Sequence, residues 1–192
     1  MTLYTDLRDG IFEWTKRPDL TADTDMAIRQ AVRNAHKSGT FWRDLAEEPV
    51  TGLAIDQSVQ SIDLTAFAAP FRKILKVGVT GTDQEYTKAD ALDLLDGYGV
   101  KKVDVFWLFG NYLKIRAAAP VEAVTVEYFR HWTVVPITAL DSWIPTYYPD
   151  LIICSAAASI AAGIDQQDIK TRVEKIAADE LALLIAENTT QG

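Results

Sequence analysis

Apolar residues recur at spacings of four, four and three at the start of the chain, as Leu3, Leu7, Ile11 and Trp14. That period predicts an amphipathic helix, with Thr2 or Thr5 available to cap it and Pro18 closing it. After a turn over Asp19 to Asp23, Thr24 is placed to cap a second helix whose apolar stripe is Ile28, Ala31, Val32 and Ala35. Ser38-Gly39 ends it, so the two form a helical hairpin.

From Phe41 the texture changes to short runs of β-branched and aromatic residues between turn residues, which favours strands. These runs are Val50 to Asp56, Val59 to Leu64, Phe71 to Val79, Val103 to Arg116 and Val124 to Val134. Gly110-Asn111 splits the fourth run and carries the strongest hairpin signal in the chain. Lys88 to Leu95 reads as a short helix or a turn.

Helical texture returns after Pro136, introduced by Trp143-Ile-Pro-Thr-Tyr-Tyr-Pro-Asp. Pro145 and Pro149 suit a helix start, where a missing N–H costs nothing. The small, apolar run from Pro149 to Ala162 predicts a buried helix that Gly163 breaks. Asp165 is then placed to cap a last helix with Ile169, Val173, Ile176, Leu181, Leu184 and Ile185 on its apolar side, and the tail from Asn188 is expected to fray. The pattern therefore predicts an α+β, mainly α fold: a helical bundle from residues 1–40 and 137–192, carrying a small antiparallel β-rich insertion at residues 41–136.

Composition narrows the function more than the fold. The 192 residues are 48% hydrophobic and 24% charged, which excludes disorder of the whole chain. Asp and Glu outnumber Lys and Arg by 27 to 19, for a net charge of -8, and the basic residues are scattered. A dedicated nucleic-acid binder needs them clustered. The single cysteine, Cys154, lies in an apolar run and reads as a core residue. With it, His36 and His131 are the only soft ligands, so neither a zinc site nor any other metal or cofactor is implied. The N-terminus lacks a basic region followed by an apolar stretch, and no segment is apolar for long enough to span a bilayer. The expectation is a cytoplasmic product with no membrane role.

Phosphate-binding glycine loops and the Gly-x-Ser-x-Gly nucleophile turn are absent. Gly97-Tyr98-Gly99 reads as a turn. His36 reads as a cation meeting the end of the second helix dipole. His131 sits on a strand between Arg130 and Trp132, with no side assigned to it. Asp90, Asp93 and Asp96 recur every third residue, the wrong spacing for a calcium loop, and read as a solvated face. Glu13, Glu47, Glu48 and Glu127 are possible members of a glycosidase carboxylate pair, which sequence never excludes because the two acids can lie far apart in the chain. Aromatic residues stand at Phe41-Trp42, Phe106-Trp107, Tyr128 to Trp132 and Trp143 to Tyr148, more than a small β module can bury. Some are expected at protein interfaces, and Trp143, Tyr147 and Tyr148 are the candidates taken forward.

Three stretches carry a resemblance. They are Leu3 to Leu7, Met26 to Ala35 followed by Phe41-Trp42, and Pro145 to Ala162 followed by Glu174 to Leu184. In this order, around a β-rich middle, they resemble the head-tail connector, or adaptor, proteins of tailed bacteriophages. The middle segment is longer than in compact all-helical connectors, so the chain resembles a variety with a β insertion. The resemblance implies a non-enzymatic virion subunit, assembled in the host cytoplasm and located between head and tail. It would dock on the portal protein, close with copies of itself into a ring that is usually a dodecamer, and present a surface to a downstream tail or stopper protein. DNA would only pass through the channel, and an acidic lumen would let it slide. The portal contact would fall on the C-terminal segment from Ile176, with Leu181, Leu184 and Ile185 as interface residues. A phage-associated cell-wall glycan hydrolase using a carboxylate pair is the alternative.

Overall fold

A computed structural model describes residues 2–55, 58–90, 101–132, 140 and 142–189. The chain divides into two compact units, one of residues 1–43 and 132–192, the other of Asp44–His131.

The first unit is helical. α1 (Leu3–Thr15) starts where Thr2 accepts a hydrogen bond from the Thr5 amide. It stops at Lys16, which turns left-handed at φ 54° while its N–H donates to the Phe12 carbonyl. Its buried residues include Leu7 and Ile11. α2 (Thr21–Lys37) starts three residues before the expected cap. Thr24 lies inside its first turn, and its hydroxyl donates back to the Leu20 carbonyl at 2.8 Å. A threonine that satisfies the i−4 carbonyl sits comfortably within a helix, so its identity does not mark the boundary. The one-turn α3 (Trp143–Tyr147) leads into α4 (Pro149–Gly163), with Pro149 in its first turn, and α5 (Gln167–Thr189) follows.

α4 is the centre of this unit, packing against α1, α2, α3 and α5. Leu151, Ile152, Cys154, Ala156, Ala157, Ala158, Ile160 and Ala161 are all buried on it. Its small residues let neighbours close in, and α1 reciprocates at Gly10. A Cβ there would stand 2.8 Å from Ile153 Cδ1. Two expectations at the end of the chain are corrected. Asp165 adopts φ 56° in the turn before α5. Asn188 is helical and buried, its amide donating to the Leu184 carbonyl at 2.8 Å, so the helix does not fray at that point.

The second unit holds two sheets. One has the order β1 (Leu45–Val50), β7 (Val124–Arg130), β3 (Phe71–Val79), all antiparallel. The other has the order β2 (Gln60–Asp63), β6 (Tyr112–Arg116), β5 (Val105–Phe109), β4 (Thr87–Lys88), with β4 parallel to β5. β3 has the predicted bounds, and β5 and β6 turn at Gly110-Asn111 with Phe109 opposite Tyr112. Gly110 takes φ 58°, the left-handed value a two-residue hairpin turn demands. Ile62, Ile74, Val77, Phe106, Leu113, Ile115, Val126 and Tyr128 pack into a core belonging to this unit alone.

The expected class is therefore corrected. The fold is a mixed α+β structure, about 47% helical and 25% strand, rather than a helical bundle with a small insertion. The β portion has two sheets and its own core, and one of its ladders is parallel. Of the run expected as a strand at Val50 to Asp56, Val50 is the last residue of β1, and among the described residues after it only Ile55 pairs, as a single bridge to Val121. Lys88 to Leu95, Asp93, Asp96, Gly97-Tyr98-Gly99 and the residues after Thr189 carried expectations that fall wholly or partly outside the described residues. Among the described residues, no helix is long and apolar enough to cross a membrane.

Candidate functional site

One concave surface of the helical unit is a groove of about 370 Å3 lined by Trp42, Arg43, Trp143, Tyr147, Tyr148, Glu180, Leu183, Glu187 and Asn188. A 3-10 turn over Trp42–Asp44 supplies the first two side chains, and α3 with the residue after it supplies the next three. α5 supplies the rest. Glu180, Leu183 and Glu187 lie at i, i+3 and i+7, which puts them along one side of the helix.

Trp143 anchors the floor. It is buried, and its ring meets Phe41 edge-on at 5.6 Å, Tyr148 at 6.3 Å and His36 at 6.0 Å. Behind it, His36 Nε2 and Ser142 Oγ share a hydrogen bond of 2.8 Å, and the imidazole stacks on Trp132 at 5.4 Å. His36 is thus a buried structural partner of Ser142 and Trp132. Ser142 is 1% exposed, so the pair holds the start of α3 and presents no nucleophile to solvent.

Above the floor sits Arg43. Its Cζ lies 4.3 Å from the Tyr147 ring centroid, 4.9 Å from Trp42 and 5.4 Å from Trp143. Among the described residues it makes neither a hydrogen bond nor an ion pair. The neighbouring Tyr148 hydroxyl donates to the Glu187 carboxylate. Burial first, and then that hydrogen bond, raise the phenol above the ordinary tyrosine range, so it remains a donor at neutral pH. Trp42 and Tyr147 are 50% and 60% exposed, and Leu183 is 47% exposed.

Of the residues marked in the sequence, Trp143, Tyr147 and Tyr148 converge here. The α5 candidates do not join them. Leu184 is fully buried in the helical core, and Leu181 packs against that core beside a separate groove formed with α2 and α4. Ile185 is half-buried. Sequence reasoning missed Arg43 and Leu183. The available signal was Arg43 directly following an aromatic pair, a combination frequent in interface anchors.

The other marked residues are dispersed. Glu47 and Glu127 are register partners across β1 and β7, with Lys76 Nζ 4.0 Å from Glu127 and 2.7 Å from Glu85. Glu48 accepts from the Ala68 amide, and Glu13 lies exposed on α1. Asp90 is exposed, and the His131 amide donates to the Pro70 carbonyl. Among the described residues, no group of three or more His, Cys, Asp or Glu side chains gathers as a metal site.

Cys154 is buried on α4, and loss of solvent, followed by the charges of Asp150 and Glu180, pushes its thiol up to about 11. The thiolate is the reactive species, so iodoacetamide at mildly alkaline pH should leave the folded protein unlabelled and label it in urea. Rapid labelling of the native protein, read by mass, would contradict the burial of this helix. Because the folded-state pKa is raised, this thiol favours folding below the ordinary cysteine value, and that contribution is lost as pH rises towards 11.

Compared with protein-family models and with curated proteins, the sequence matches none.

Proposed function

We propose that the chain is a structural subunit of a phage head-tail connector. In this reading it docks on the portal protein, closes with its own copies into a ring and offers a surface to the next tail component, while DNA passes through the channel. The reading starts from the resemblance of the N-terminal helices, the Phe41-Trp42 pair and the stretch from Pro145 to the last helix. The observation that carries it is the groove around Arg43. Exposed Trp42 and Tyr147 beside a half-buried Arg43, over a buried aromatic floor, are the composition of a protein-docking anchor.

The test is the mass of the portal ring of the same phage before and after adding this protein, by native mass spectrometry. Saturation at one 21.3 kDa subunit per portal chain is the expected result. No gain in mass at saturating concentration would overturn the reading. Glycan release by the wild type, abolished in Glu47→Gln or Glu127→Gln proteins that still fold, would replace it with the hydrolase alternative.

A further inference from the structure

We infer that the groove around Arg43 is a receptor for a single carboxylate on a partner peptide, carried between apolar side chains. This inference rests on reading the groove as a docking surface, and it is independent of which assembly the surface serves. Three observations lead to it.

The first is the state of Arg43. Three aromatic rings hold its guanidinium at 4.3, 4.9 and 5.4 Å, yet no hydrogen bond or ion pair engages it among the described residues. Ring faces attract a cation but accept none of its in-plane N–H bonds strongly. Five donors in a planar fork therefore remain to be matched, and the group whose geometry matches them is a carboxylate, bound through two parallel hydrogen bonds. The cage also restricts the side chain beforehand, so less entropy is lost on binding than for a free surface arginine.

The second is the disposition of the groove's own acids. Glu187 is engaged by the Tyr148 hydroxyl, and neither Glu187 nor Glu180 reaches ion-pair distance of Arg43. Among the described residues, the groove therefore carries one cation with neither a hydrogen bond nor an ion pair, and two acids. That balance admits one carboxylate at Arg43 and repels a run of acids or a doubly charged phosphate.

The third is the exposed apolar rim. Trp42, Tyr147 and Leu183 are each about half-exposed around a cavity of about 370 Å3. This lies at the small end of the range for ligand pockets. It suits a few side chains of an extended segment, apolar on either side of the acid.

The experiment is an NMR titration of the full chain, observing arginine Nε–H resonances at neutral pH. Acetyl-Leu-Glu-Phe-amide is the probe. Acetyl-Leu-Gln-Phe-amide, acetyl-Glu-Glu-Glu-amide and a phosphoserine version of the first peptide are the comparisons. The Arg43 resonance, assigned by its loss in Arg43→Lys, is expected to shift with the Glu peptide at about tenfold lower concentration than with the Gln peptide. The triple-Glu and phosphoserine peptides should bind more weakly than the single-Glu one. Arg43→Lys retains the charge and loses the fork, so it should lose most of the preference for Glu over Gln, observed on the Trp42 indole N–H. Trp42→Ala, at an exposed position, should weaken both peptides together.

Equal affinity for the Glu and Gln peptides would overturn the inference, as would no shift up to about 10 mM peptide. A preference for the phosphoserine peptide would assign the groove to phosphate instead. An unchanged Glu preference in Arg43→Lys would place binding elsewhere. Portal docking that fails while Glu-selective binding persists would count against the connector reading alone. Portal docking without Glu selectivity would count against this inference alone.

Discussion

An Ile152→Ala substitution is expected to destabilise the helical unit by about 2–5 kcal/mol, the range for deleting a buried aliphatic side chain and leaving a cavity. Ile152 is fully buried in the first turn of α4, and α4 packs against α1, α2, α3 and α5. A helix enclosed in this way has little freedom to collapse into the vacated space, which favours the upper half of the range. Urea unfolding followed by tryptophan fluorescence suits the measurement, since Trp14, Trp42, Trp132 and Trp143 all belong to this unit and only Trp107 to the other. Ile152→Val should cost about 0.5–1.5 kcal/mol and give a graded series. A loss of under about 1 kcal/mol for the alanine variant would show that α4 is not the tightly enclosed element described.

A Tyr128→Ala substitution is expected to remove about 3–5 kcal/mol from the β unit, as truncation of large buried aromatics generally does. Tyr128 is 1% exposed, packs its ring 5.2 Å from that of Phe67 and donates its hydroxyl to the Ala69 carbonyl at 3.1 Å. It stands on β7, the central strand between β1 and β3, so the backbone is fixed from both sides. Tyr128→Phe keeps the ring and loses only the hydrogen bond, for about 1 kcal/mol. Near-equal losses for the two variants would mean that the hydroxyl, not the ring, carries the site. Burial raises the Tyr128 phenol above the ordinary tyrosine value. The wild-type β unit should therefore lose stability as pH climbs through and beyond that value, because the unfolded chain gives up its proton first. The phenylalanine variant should show a shallower decline.

What the sequence disclosed and what it withheld divide along a physical line. α1 was legible because Leu3, Leu7 and Ile11 follow the helical period and Thr2 caps locally. The β5–β6 hairpin was legible because Gly110-Asn111 specifies its turn from within two residues. β1 was not, since Leu-Ala-Glu-Glu-Pro-Val has little intrinsic strand preference and becomes a strand by pairing with β7 some eighty residues later. The two-residue β4 exists only as a parallel partner of β5, with no periodicity of its own to read. These unannounced strands are why the β portion looked like a minor insertion.

The groove was half legible for the same reason. Trp143, Tyr147 and Tyr148 stand out as a dense aromatic stretch, whereas the role of Arg43 depends on rings about a hundred residues away in the chain. Leu184 has the apolar spacing of an interface stripe and is used for the core, and its neighbour Leu183 faces the groove. Periodicity identifies an apolar side of a helix but not which of its residues a neighbouring helix covers.

The pairing of Leu45 with Phe129 places the first and last strands of the β unit side by side, with their outer ends one ladder step apart. During synthesis this unit is complete once Arg130 has emerged, and it can close its ladders while α4 is still unmade. α1 and α2 leave the ribosome before the β unit, yet they pack against α4 and must wait with Leu7, Ile11, Ile28 and Val32 uncovered until residues beyond Pro149 appear. Of the two units, the one that begins to emerge earlier is thus completed later, and the nascent helical hairpin needs protection through the interval.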